Sequence, residues 1–151
     1  MAELRLQELS AKNAVAANNL TLKPGQEQFI APVSYSMASP FLDPSTNWSR
    51  VVVDDDGDVV AFIMANFDPD NHEPEFQSCI WRMNVAADAQ GRGVGRFVVL
   101  SAADEARKRG YSKLTVIWEP GDDGPEEFFL RVGFSVIGQT QYGENIGAMN
   151  L

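Results

Sequence analysis

The sequence predicts a mixed α/β domain built on one sheet, and three observations carry that expectation. Two β-branched runs, residues 51–53 and 59–66, flank Asp54-Asp55-Asp56-Gly57-Asp58, the pattern of a hairpin. Residues 93–109 place Val94, Phe97, Val98 and Ala102 on one helical face. Beyond that helix, strand-like and helix-like segments alternate to the end of the chain.

Taken in order, Leu4-Arg5-Leu6-Gln7 alternates apolar and polar side chains and reads as a short strand. Residues 13–20 and 26–37 are weakly helical, with Pro24-Gly25 as the break between them; Pro40, Pro44 and Ser45 mark a loop. The hairpin follows, then a polar loop over residues 68–74 and a strand over 76–85. The amphipathic helix ends on Lys108, Arg109 and Gly110, the signals of a helix C-terminus. Lys113–Trp118 is a further strand. Asp122 or Asp123 is placed to cap a last helix, with Pro125 in its first turn and Phe128-Phe129-Leu130 in its body. Glu126 and Glu127 suit the positive end of that helix. Residues 134–137 and 146–151 close the chain as strands, giving the order β-α-α-β-β-β-α-β-α-β-β.

With 151 residues the chain reads as a single domain over 1–151. A domain of this size buries about 70% of its unfolded surface and needs no disulfide or metal to hold a core. Cys79 is the only cysteine, which excludes an intrachain disulfide and a cysteine-rich zinc site. The first nine residues carry Glu3, Arg5 and Glu8 and no apolar run, and no segment reaches membrane-spanning length, so the expected location is cytoplasmic, with no membrane partner. The net charge of -9 argues against nucleic acid as a partner. Yet Arg92, Arg96, Arg107, Lys108, Arg109 and Lys113 make up half of the 12 basic residues. That distribution suits an anionic ligand held locally and a cationic substrate drawn to the acidic remainder.

The local anion site is Gly91-Arg92-Gly93-Val94-Gly95-Arg96, between a strand and a helix. Three glycines expose backbone N–H groups where a helix begins, so unpaired donors and the positive dipole end point at whatever docks there. A phosphate or pyrophosphate fits such a site, and Arg92 and Arg96 are misplaced at a helix N-terminus unless an anion lies beside them. A P-loop would end in Gly-Lys-Ser/Thr, which is missing. A Rossmann fingerprint would need glycine where Arg96 stands, although Glu119 could mimic its ribose-binding acid. Gln90, Gly93 and Gly95 satisfy a third pattern, Gln-x-x-Gly-x-Gly, after a strand and before a helix.

On these residues and this element order the chain resembles the Gcn5-related N-acetyltransferases (GNAT) over nearly its whole length. The resemblance implies a central, mostly antiparallel sheet splayed between strands 4 and 5, acetyl-CoA as co-substrate, no metal, and a homodimer. It implies that Met83, Asn84 and Val85 bind the pantetheine arm and polarise the thioester through backbone groups. Gln90, Gly91, Arg92, Gly93, Val94, Gly95 and Arg96 would then form the pyrophosphate loop. Shorter similarities point to the bacterial diamine and polyamine acetyltransferases, with a small amine as substrate: Gln26, Phe29 and Ala31 followed by Ser36, then Ile80-Trp81-Arg82, then Gly133-Phe134 followed by Gly143-Glu144.

Two departures accompany the resemblance. Where many family members carry tyrosine four residues before the Gly-Phe pair, this chain has Phe129, which donates no proton, and Asp122 replaces the family's asparagine. Both positions would still line the cofactor arm. Among Tyr35, Tyr111 and Tyr142, the last lies near the closing strands and is the substitute thiolate acid; alternatively the thiolate leaves without one. An amine with a pKa near lysine's, about 10.4, is protonated at neutral pH, so a base is needed. Glu75 is the first candidate, with Asp68, Asp70 and Glu144 behind it; His72 sits in a polar loop and Cys79 reads as a small buried hydrophobe. The expected activity is N-acetyl transfer to a small primary amine by direct attack in a ternary complex. A CoA-binding module without turnover, a protein-lysine or N-terminal acetyltransferase, and a dinucleotide oxidoreductase stand as alternatives.

Overall fold

In the computed structural model, which describes residues 3–20, 45–121 and 124–151, the chain opens with β1 (Arg5–Glu8) and α1 (Ala11–Asn18). It continues through β2 (Asn47–Val53), β3 (Val59–Phe67), β4 (Ser78–Val85), α2 (Val94–Lys108) and β5 (Lys113–Trp118). It closes with α3 (Glu126–Val132), β6 (Ser135–Gln139) and β7 (Asn145–Asn150). The seven strands form one sheet in the order β1-β2-β3-β4-β5-β7-β6. Every neighbouring pair is antiparallel except β4 and β5, which run parallel across the crossover that α2 supplies.

Element boundaries move for local reasons. α1 begins at Ala11 instead of residue 13 because Ser10 closes a capping box with Asn13, each side chain bonding the other's backbone N–H. β2 reaches back to Asn47 because its first half finds partners on β3, from Asn47 opposite Asn66 onward. The strand expected from residue 76 starts at Ser78, since Pro74–Phe76 closes into a 3-10 turn with the Phe76 N–H donating to Glu73 O. Pro125 stands one residue ahead of α3 at its cap position, not inside the first turn, and makes no side-chain cap bond. Asp122 and Asp123 lie outside the described residues, as do Tyr35 and the helix expected over residues 26–37 with its polyamine-like Gln26, Phe29, Ala31 and Ser36.

One face of the sheet meets α2. Val52, Ala61, Ile63, Ala65, Ile80, Leu114 and Val116 pack there against Val94, Val98, Val99, Ala102, Ala103 and Ala106, all buried. The other face, carrying Val51, Phe62 and Met64, is covered through Ala17 of α1. β7 lies tight against this core at Gly147, where a Cβ would stand 2.5 Å from Trp118 Cζ3 and 3.3 Å from Phe134 Cβ. Gly147→Ala therefore overpacks the core and should cost about 1–3 kcal/mol, read as a lower denaturation midpoint. A variant as stable as the wild type would contradict this packing.

Candidate active site

The opening in the sheet comes from one extra residue. Met64 pairs with Arg82 and Ala65 with Ile80, so Trp81 has no counterpart on β3 and forms a bulge. A bulge bends its strand and sharpens its twist. Before it, β4 pairs with β5 at Cys79–Thr115 and Ile80–Val116. After it, Met83, Asn84 and Val85 pair with β3 and stand outside the β4–β5 register, while β5 continues along β7 as far as Trp118 opposite Asn145. Beyond Ile80, then, the facing edges of β4 and β5 diverge into a V.

The glycine segment stands at the open end of that V. Gly91 (φ 79°) and Gly93 (φ 83°) adopt left-handed conformations with open space around them, and Gly93 is the N-cap of α2. Glycine has no Cβ to clash in that region. The first-turn N–H groups that follow have no intrahelical acceptor, no acidic side chain stands among them, and Arg92 and Arg96 are exposed beside them. These donors and cations fit a pyrophosphate. Gln90 turns inward: its Nε2 donates to the Val85 carbonyl at 2.9 Å, tying the loop to the end of β4. Val94 is buried in the core.

Gly95 serves a different need. Its backbone is helical, and a Cβ there would stand 3.0 Å from Phe128 Cε1 and Cζ and 3.6 Å from Met83 Cε. The third glycine makes room for a ring, and its N–H remains one of the first-turn donors.

Aromatic rings from α3 pack against the end of β5 and the first turn of α2. Phe129, only 6% exposed, stacks on Trp118 with ring centroids 5.3 Å apart and meets Phe128 and Phe134 edge-on. The start of α3 is held by Glu126, whose Oε1 accepts from Asn145 Nδ2 (2.9 Å) and Trp118 Nε1 (3.3 Å). Sequence reasoning assigned Glu126 to the helix dipole and missed this clamp. Glu127 instead pairs with Arg131 one turn on, at 2.6 Å.

The expected proton-transfer residues lie at two different ends of the sheet. Tyr142, 80% exposed, sits in the β6–β7 turn with half-buried Glu144, at the open end. Glu75 lies in the turn before β4, where Thr115 Oγ1 donates to its main-chain carbonyl. From Ser78 to Met83 the strand alone spans roughly 15 Å, so Glu75 is remote from Met83–Val85. Asp68, Asp70 and the exposed His72 share that far end. Cys79 is fully buried, and burial pushes its thiol up to about 12, so it is neutral at physiological pH. Asp54, Asp56 and Asp58 converge within 4.8 Å because the Asp54 carboxylate accepts from the N–H groups of the other two, as a turn requires.

The family model described as the acetyltransferase (GNAT) family matches residues 19–134. The chain belongs to this family. Its fold is shared with nourseothricin acetyltransferase (19% identity, TM-score 0.70, covering 97% of this chain and 98% of that one). It is shared also with the GNAT domain of S. lividans PAT (15%, 0.72, covering 98% and 90%) and with the ribosomal-protein-S18-alanine N-acetyltransferase of Escherichia coli (15%, 0.65, covering 98% and 94%). At these identities the likeness is one of fold. No curated protein matches the chain. The GNAT family uses acetyl-CoA as co-substrate, which accords with a pyrophosphate-binding turn beside a splayed strand. No helix among the described residues is long and apolar enough to cross a membrane.

Proposed function

We propose that residues 1–151 act as one unit that transfers an acetyl group from acetyl-CoA to a primary amine of a small molecule, of the diamine or polyamine class. The observation that carries this reading is the V opening at Met83–Val85 with the Gly91–Gly93 turn at its mouth. The first-turn N–H groups of α2, with Arg92 and Arg96, hold the pyrophosphate. The edge of Met83–Val85 that faces β5 takes the pantetheine arm, and its backbone donates to the thioester carbonyl oxygen, where negative charge develops. The amine nitrogen bonds to the carbonyl carbon, the carbon–sulfur bond breaks, and CoA leaves as a thiolate. In this reading Glu144 takes the amine proton, with Glu75, acting through a chain of waters, as the alternative base. Tyr142, on the same turn as Glu144, is the proton donor for the thiolate.

The cationic acceptor is supported by charge. Asp54, Asp58 and Asp88 line a cleft of about 440 Å³ that also touches Arg92 of the loop, and the whole chain carries -9. Adding acetyl-CoA is expected to raise the melting temperature, and adding spermidine, spermine or putrescine is expected to release free CoA thiol. No thermal shift with acetyl-CoA would refute the reading at its base. Thiol release with peptides but with none of the amines would move the acceptor to protein.

A second reading is a CoA-binding module without turnover. It is favoured by Phe129, which brings no proton donor and is committed to the aromatic core. Tight CoA binding with no thiol release across amines and peptides would select it.

A further inference from the structure

We infer that Glu126 is a positioning residue: it sets the width of the V by holding the end of β5 in place across from the strand that takes the pantetheine arm. This rests on the acetyl-CoA reading above and adds the group that fixes the far wall. With Ile80 paired to Val116 and Trp81 taken up by the bulge, Trp118 stands level with Met83 across the opening. Both side chains belong to the core that packs on α2. From Ile117 onward, however, β5 stands outside the β4–β5 register and pairs with Ile146 and Asn145 of β7. A strand end supported along one edge frays unless something ties it down.

The Glu126 carboxylate supplies that tie. Its Oε1 accepts from Trp118 Nε1 at 3.3 Å and from Asn145 Nδ2 at 2.9 Å, so one atom joins the first residue of α3, the last of β5 and the first of β7. Asn145 Oδ1 in turn accepts from Gln139 Nε2 at 3.2 Å, which extends the connection to the end of β6. Pro125 adds no side-chain cap to α3, and no ion pair among the described residues engages Glu126. The helix dipole does not account for this arrangement. Glu127 suits the dipole equally well, yet it is exposed and pairs with Arg131 one turn on. A bound arm lies between the two walls, and moving one of them by about 1 Å spoils the hydrogen-bond geometry that the arm needs.

Calorimetric titration of acetyl-CoA and of ADP, which carries the pyrophosphate without the arm, into the wild type, Glu126→Ala, Glu126→Gln and Glu127→Ala tests this. Glu126→Ala is expected to weaken acetyl-CoA binding by about tenfold, the effect of losing hydrogen bonds to a charged group. ADP should bind this variant as it binds the wild type, because the Gly91–Gly93 turn follows β4 and takes no part in the clamp. Glu126→Gln keeps an oxygen acceptor for both N–H groups and should recover most of the affinity, and Glu127→Ala should match the wild type. Should Glu126→Ala fail to fold, Trp118→Phe, which keeps a ring on Phe129 and drops the Nε1 donor, is expected to show a smaller loss confined to acetyl-CoA. Unchanged acetyl-CoA affinity in the folded variant, an equal loss for both ligands, or Glu126→Gln as weak as Glu126→Ala overturns the role of Glu126 alone. So does a wild type that binds acetyl-CoA but not ADP, since the two halves of the site would then not act separately. A wild type that binds neither overturns the acetyl-CoA reading beneath it.

Discussion

Phe129→Ala should remove about 3–5 kcal/mol of stability, the cost of emptying a large aromatic site in a core. The ring is 6% exposed and sits at the centre of a cluster: stacked on Trp118, edge-on to Phe128 at 5.2 Å and to Phe134 at 5.7 Å. Deleting it leaves the Trp118 indole without its stacking partner and the Phe128 ring without its support. A domain stable by about 5–15 kcal/mol would lose a large part of that margin. Urea denaturation should show the midpoint falling while the slope stays near that of the wild type. Acetyl-CoA binding should weaken as well, because α3 then meets the V through a cavity. A loss below about 1 kcal/mol would place the ring outside the core.

How far the sequence disclosed this site depends on whether the cause is local. Gly91 and Gly93 were legible because their reasons are local: a left-handed backbone and a helix start in need of an anion. The helix of residues 93–109 was legible for the same kind of reason, as its apolar face repeats with the helical period. The packing role of Gly95 was not legible, since the ring it accommodates belongs to α3, more than 30 residues on in the chain. Glu126 likewise suits a helix start in any sequence, and only the fold brings Trp118 and Asn145 to its carboxylate. The bulge at Trp81 has no signature of its own, because it is a matter of register between β4 and β3. Glu75 looked close to the site because it is near in sequence to β4. Strand geometry reverses that impression, since the length of β4 separates it from Met83–Val85. The family resemblance supplied the splay, which no local pattern announces.

The sharpest test of the site itself is Gly93→Val. Gly93 caps α2 at φ 83°, with open space where a side chain would go, so any cost comes from the backbone and not from collision. Holding a non-glycine residue in the left-handed region costs about 1–3 kcal/mol, and a β-branched residue lies at the unfavourable end. The loop can relieve this only by leaving that conformation, which rotates the first-turn N–H groups away from a common anion. Acetyl-CoA affinity should then fall by about 5- to 150-fold, the same energy expressed as binding. The core beneath is anchored by Val94, Val98 and Val99 and does not depend on the turn, so the melting temperature without ligand should drop by only a few degrees. Gly91→Val, at φ 79°, should behave in the same direction, and Arg92→Ala should weaken binding without altering the backbone. Titration calorimetry separates these outcomes. Wild-type affinity in Gly93→Val, with its fold intact, would show that the anion is held by side chains and not by the helix start.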